Sequence, residues 1–434
     1  MFQRMTRASV RIVERYLPDS YVFVLVFTML AAVGALTVQQ TAPLDLVRMW
    51  GGGFWRLLEF SMQMVLVLVT GFILAKTPPV ARLLRWLAGF AGQPRNAVVL
   101  VTLVSIAANW INWGFGLVVG ALFAREVARR VEVDYRLLVA SAYGGFIVWH
   151  GGLSGSVPLT VATPGHTFEA ATGLIPTSAT LFSGFNLAIL AALAIVVPLL
   201  TRAMTPRPED TVVFRPEEEA PAEPAPQAPT PADWMEHHWM LSLPVGLAGL
   251  AFLALHFADG GGLNLNIVNF AFLMLGILLH RTPARLLAAL KEGISGAGGI
   301  VVQFPFYAGI MAILVESGLA TTISQAFASF ATADTLPLWT FLSAGLVNMF
   351  IPSGGGQWAV QAPVMIPTAE ALGADLPRVV MAIAWGDAWT NLLQPFFALP
   401  LLAIAGLRIR DIMGYCLMLL VATGAVIVLG LTFA

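Results

Sequence analysis

Charge and cysteine are what this chain has least of. Only 11% of its 434 residues are Asp, Glu, Lys or Arg, against roughly 25% in a soluble domain, so ionised side chains are too few to cover a water-facing surface of this size. Cys416 is the single cysteine, which excludes an internal disulfide and a thiolate metal cluster. No Walker-type lysine follows its glycine runs, so ATP is not implied. Nor do His150 and Asp387, with scattered serines, have the spacing of a nucleophile and its base, which argues against an intramembrane enzyme.

What the chain has instead is apolar length. It is 58% hydrophobic with mean hydropathy +0.81. Stretches near 18 residues recur at 21–38, 183–201, 239–257, 264–280 and 411–433, each able to cross a ~30 Å hydrocarbon core. The first follows Arg4, Arg7, Arg11 and Arg15 without a small-residue cleavage site, so it reads as the first span with a cytoplasmic N-terminus. Alternating the spans from there puts most basic residues, among them Lys76, Arg125, Arg129, Arg130, Arg281, Arg285 and Arg408, on the cytoplasmic side. A bacterial inner-membrane protein with its C-terminus outside is expected.

Residues 204–236 are rich in Pro, Glu and Ala and cannot bury a core, so they read as a disordered cytoplasmic linker. Residues 96–124 are apolar yet too short to cross twice, which predicts a re-entrant hairpin whose non-helical tip, NWINWGFG from Asn109 to Gly116, must be covered by protein or a wet cavity. Residues 337–372 repeat the arrangement around NMFIPSGGGQW, with acidic flanks at Asp334 and Asp375. Each hairpin precedes an interrupted segment, and the two superpose at an offset of 242 residues: Arg136 on Arg378, Ala140 on Ala382, Gly144 on Gly386, Pro158 on Pro400. The division expected is therefore 1–203, the linker, a connecting span at 237–260, and 261–434. That odd span inverts the second repeat. The fold class is an all-α polytopic membrane protein with two inverted repeats, each carrying a re-entrant helical hairpin and a broken transmembrane helix, an arrangement typical of secondary transporters.

The polar residues at these interruptions are the candidate site. Asn109, Asn112 and Gly114 lie at the first tip, where amides and backbone N–H groups could face a polar solute or cap a turn. Ser353, Gly354, Gly355, Gly356 and Gln357 lie at the second, a glycine run near a helix start that suits a carboxylate or makes a bare turn. The first break, WHGGLSGSVPL, offers His150, Ser154 and Ser156. The second, GDAWTNLLQPFFALP, offers Asp387, Thr390, Asn391 and Gln394 before Pro395. Asp387 in an apolar segment suggests coupling to Na+ or H+, or structural pairing. His150 either titrates near neutrality or is simply hydrogen-bonded. No Arg or Lys occupies a tip or a break, so an anion must be held by helix ends, amides and hydroxyls, which favours one negative charge over two.

At WGGGFWRLLEFSMQM, INWGFGLVVGALFAREVARR, LSGSVPL, LFSGFN, VQFPFYAGI, IPSGGGQW and QPFFALPLLAIAGL the sequence resembles the short-chain fatty acid transporter family of the AtoE type, within the ion transporter superfamily. The likeness covers nearly the full chain. It implies uptake of acetoacetate or butyrate by a homodimer working as an elevator, in a lipid bilayer, with no organic cofactor and no nucleic-acid partner. Neither tip carries the Ser-Asn-Thr of related sodium-coupled carboxylate transporters, so Na+ and H+ both stay open. A C4-dicarboxylate carrier and a passive anion channel are the alternatives.

Overall fold

The computed structural model describes residues 20–214, 230–349, 351, 353–393 and 397–433, and among them there is no strand. The chain opens with α1 (Ser20–Thr37), α2 (Pro43–Gly53), α3 (Leu58–Ala75) and α4 (Pro78–Ala88). A hairpin of α5 (Pro94–Ile111) and α6 (Trp113–Ala128) follows, then a broken segment of α7 (Tyr135–Gly144), a 3-10 stretch (Gly145–Gly151) and α8 (Ser156–Val161). After α9 (Glu169–Thr172) and α10 (Gly184–Ala203) come α11 (Pro231–His237) and α12 (Ser242–Ala258). The remainder is α13 (Leu265–His280), α14 (Pro283–Ile294), α15 (Gly298–Glu316), α16 (Leu319–Phe330), a hairpin of α17 (Leu336–Asn348) and α18 (Gly354–Leu372), a broken segment of α19 (Leu376–Thr390) and α20 (Ala398–Ala405), and α21 (Ile409–Phe433). Seven of the described helical stretches are long and apolar enough to cross a membrane, and Val24–Thr37, Leu265–His280 and Leu336–Asn348 are shorter apolar helices.

Local chemistry sets many of these boundaries. Proline opens α2, α4, α5, α11 and α14, where the missing N–H would have had no partner. Gly373 and Gly406, at φ 65° and 70°, end α18 and α20 in the left-handed conformation that other residues resist. Each helix from α2 to α8 has a counterpart, α14 to α20, that begins 240 to 242 residues later. Of these pairs α3 and α15 pack side by side and run in opposite directions: Gly53 at the end of α2 meets Ala308 and Ala312 of α15, Phe60 of α3 meets Phe304 of α15, Leu68 meets Gly296 just before α15, and Phe72 meets Gly293 in α14.

Two expectations change. The first tip is not irregular from Asn109 to Gly116; α5 continues through Ile111 and α6 resumes at Trp113. Asn112 alone leaves the helix, and its side chain accepts from the N–H of Phe115 at 2.9 Å, so one capping residue suffices to reverse the chain. The expected linker is also shorter. Asp134 is buried and caps α7, accepting from the N–H of Leu137 at 2.8 Å, and also takes the N–H of Val212 at 2.9 Å and the guanidinium of Arg136 at 2.8 Å. The N–H of Tyr135 donates to the carbonyl of Val212 at 2.8 Å, so residues 208–214 are strapped to the end of α7. Pro231–His237 is helical, with Thr230 and Asp233 forming a reciprocal cap. Residues 215–229 lie outside the described residues.

Candidate functional site

The two hairpin tips meet α3 at different heights. Gly114 lies against the backbone of Leu68 and Gly71 against the Asn112 amide, whereas Gly355 lies against the ring of Phe60 and Gly356 against Tyr307. At 1.5 Å per residue the two levels are roughly 12–16 Å apart. Between them sits a cavity of about 20 Å³ lined by Met64 of α3, Trp113 of the first tip, Trp149 and Ser156 of the first break, Ile300, Gln303 and Phe304 of α15, Ser353 and Gly354 of the second tip, and Phe397 of the second break. That volume holds little more than a water.

The cavity lies in line with two larger spaces along α3. Toward Ala75, a chamber of about 480 Å³ is lined by Leu68, Phe72, Leu117 and Leu399 with Glu292 at its rim, and it shares Trp113, Ile300 and Phe397 with the small cavity. Toward Leu58, a cleft of about 80 Å³ is lined by Arg56, Glu59, Gln63, Thr163 and His166. His166 lies in the loop after α8, and burial pushes its pKa down.

Of the residues expected at the site, Ser156, Ser353 and Gly354 line the small cavity and Gly114 the chamber. Ser353 also caps α18, accepting from the N–H of Gly356 at 3.3 Å. Asn109 donates to the Ser105 carbonyl at 2.8 Å within α5, Asn112 donates to the Val67 carbonyl of α3 at 3.4 Å, and Ser154 accepts from the N–H of Trp113 at 2.9 Å, which ties the first tip to the first break. Gln357 donates to the Ala344 carbonyl and to Gln361, both at 2.8 Å, within the second hairpin. Gln394 lies outside the described residues.

Asp387, Thr390 and Asn391 form a buried network behind the second tip. Asn348, the last residue of α17, donates to the Asp387 carbonyl at 2.9 Å, to Thr390 Oγ1 at 2.9 Å and to Asn391 Oδ1 at 2.8 Å. Asn391 donates to Asp387 Oδ1 at 3.1 Å, and the Tyr143 hydroxyl donates to the Asn391 carbonyl at 2.6 Å. His150 Nε2 stands 3.5 Å from Asp387 Oδ1, both side chains fully buried. That is ion-pair range without hydrogen-bond geometry: Asp387 Oδ2 and both imidazole nitrogens have no hydrogen-bond partner among the described residues. The sequence offered no sign of this pair, because its members stand 237 residues apart. Trp149, Phe304 and Phe397 were equally hidden, as aromatics in apolar runs read as packing.

A family profile for short chain fatty acid transporters matches residues 1–434. The chain belongs to that family. The transporter is 49% identical over its whole length, and over the whole of the relative, to an Escherichia coli (strain K12) protein named provisionally as a short-chain fatty acid transporter. It is 44% identical, again over all of both chains, to a protein of Haemophilus influenzae (strain ATCC 51907 / DSM 11121 / KW20 / Rd) with the same provisional name. Its fold is similar to that of the Alcanivorax borkumensis YdaH transporter, with a TM-score of 0.57 covering 95% of this chain and 96% of that one at 21% identity. The protein is thus a membrane transporter for a small molecule and not an enzyme.

Proposed function

We propose that the transporter is a secondary importer of short-chain fatty acid anions such as acetoacetate and butyrate, driven by a cation and working by alternating access in the inner membrane. The observation that carries this reading is the closed space between the tips, which would widen into the adjoining chamber to admit an anion: an apolar box of Trp113, Trp149, Phe304 and Phe397 with Ser156, Ser353 and the start of α18 also in its lining. The first N–H groups of a helix favour a carboxylate, and the aromatic walls suit a short alkyl tail. Among the described residues no Lys or Arg lines it, so a second carboxylate would go uncompensated, which favours monocarboxylates over C4-dicarboxylates. Ser353, Ser156 and the N–H groups that open α18 would hold the headgroup, Gln357, Thr390 and Asn391 would support the second tip from behind, Asn109, Asn112, Gly114 and Ser154 would shape the first tip, and Asp387 would couple the cation.

The pairing of helices at a spacing of 240 to 242 residues and the opposed courses of α3 and α15 support inverted repeats, with the N-terminus cytoplasmic and the C-terminus outside. In that orientation the 480 Å³ chamber opens toward the cytoplasm and the structure is inward-facing. The hairpins and broken helices would travel as one body against the scaffold of a homodimer. The test is uptake of radiolabelled acetoacetate by proteoliposomes under imposed Na+ or H+ gradients, against protein-free vesicles and with unlabelled succinate as competitor. Gradient-driven uptake indifferent to succinate is expected; strong succinate competition overturns the substrate class, and uptake no faster than in empty vesicles overturns coupled transport.

A further inference from the structure

His150 and Asp387 are the two ionisable groups that the fold buries against the second hairpin tip without a strong partner for either. Gly354 opens α18, and a Cβ built on it would come within 2.4 Å of His150 Nε2, so no side chain separates that helix start from the imidazole. Trp149, which lines the cavity, packs against the same ring, tilted by 42° with centroids 3.6 Å apart. The other buried titratable groups on elements packed against the pair are hydroxyls and a thiol, among them Tyr307 on α15, donating to Gln303 at 2.9 Å, Tyr143 on α7, donating to the Asn391 carbonyl, and Cys416 on α21; the charged groups of those elements, Arg136, Glu316, Glu370, Arg378, Arg410 and Asp411, are not buried. Among the described residues no Lys or Arg is buried.

Charge balance then decides what accompanies the substrate. With one proton between them, on imidazole or on carboxyl, the pair would be neutral. A carboxylate arriving at α18 adds a charge of −1 that no fixed cation offsets, and leaving such a charge uncompensated in a dry interior is strongly unfavourable. One further proton, giving imidazolium beside a protonated carboxyl, restores neutrality. Oxygens without a partner among the described residues remain at Asp387 Oδ2, Asn348 Oδ1 and Gln357 Oε1, so what favours a proton over an alkali cation is the unpartnered imidazole beside Asp387 Oδ1, a nitrogen base that suits H+ where a hard cation needs oxygens.

We propose, building on the short-chain carboxylate reading above, that His150 and Asp387 are one proton-carrying pair and that H+ is the coupling ion, loaded once with each anion. Purified transporter in detergent, titrated calorimetrically with acetoacetate in two buffers of different ionisation enthalpy, reports the protons taken up per anion bound, free of the leak of neutral acid through a bilayer. Wild type takes up about one proton per anion in Na+-free buffer near neutral pH, and His150→Gln and Asp387→Asn each take up clearly fewer. Binding with no proton uptake, or with affinity set by Na+, overturns the pair even if neither variant folds, since wild type alone decides it. Absence of any binding heat with both acetoacetate and butyrate overturns the substrate reading itself, and the coupling scheme with it.

Discussion

Replacing Asn348 by leucine tests the network that ties the second hairpin to the second break. Its amide nitrogen lies within 2.8 to 2.9 Å of three acceptors, the Asp387 carbonyl, Thr390 Oγ1 and Asn391 Oδ1, and has two hydrogens to share among them. Interhelical hydrogen bonds in membrane proteins are worth about 0.6 kcal/mol on average and up to roughly 1.7, so losing two costs about 1–3 kcal/mol. Leucine has the same branched outline, so no cavity is left, and its bulkier methyl groups add an overpacking cost to the lost bonds. Asn348→Asp should cost more than leucine, because it turns an oxygen toward the same acceptors. Equilibrium unfolding in mixed SDS micelles measures both. A double-mutant cycle with Thr390→Val should return a coupling of about 0.5–1 kcal/mol; strict additivity, with a loss below about 0.5 kcal/mol for Asn348→Leu, would refute the network.

Other perturbations follow from the same packing. A Cβ on Gly116 would lie 2.3 Å from Asn109 Cγ, so Gly116→Val should open the first hairpin and cost about 1–3 kcal/mol or more, seen as a loss of monodisperse protein on size-exclusion chromatography. Asp134→Ala removes the cap of α7 and the anchor of Val212, a change of about 1–3 kcal/mol, and should speed cleavage by proteinase K within residues 208–214. His166 is held below the ordinary histidine value by burial, so its neutral form favours the folded state. Its contribution is present above pH ~6.5 and is lost as pH falls through the depressed value. His166→Gln should therefore flatten the stability difference between pH 7.5 and pH 5 relative to wild type.

The membrane class and the paired hairpins were legible because both are long-range compositional signals: 11% charge, polar tips in apolar arms, and motifs recurring at 242 residues. Hairpin limits expected at 96–124 and 337–372 lie close to the observed Pro94–Ala128 and Leu336–Leu372. Local geometry was less accessible. That Asn112 alone reverses the first hairpin depends on its side chain reaching the N–H of Phe115, and a run such as NWINWG permits a longer loop equally well. The strap at 208–214 was hidden because its anchor, Asp134, lies in the α6–α7 connection and looks like an ordinary helix cap. The His150–Asp387 pair could not be read from spacing, since it is made by bringing one broken helix against the other, and the aromatic box depends on four separate segments converging.

The most direct test of the central claim uses the single native cysteine. In a Cys416→Ser background, Ser353→Cys places one thiol at the second tip, and its rate of modification by a small methanethiosulfonate reagent is followed in membranes. Acetoacetate and butyrate should slow the reaction while succinate leaves it unchanged, placing a monocarboxylate between the hairpin tips. A rate unaffected by either acid, or equally slowed by succinate, would contradict the assignment of that cavity as the carboxylate site.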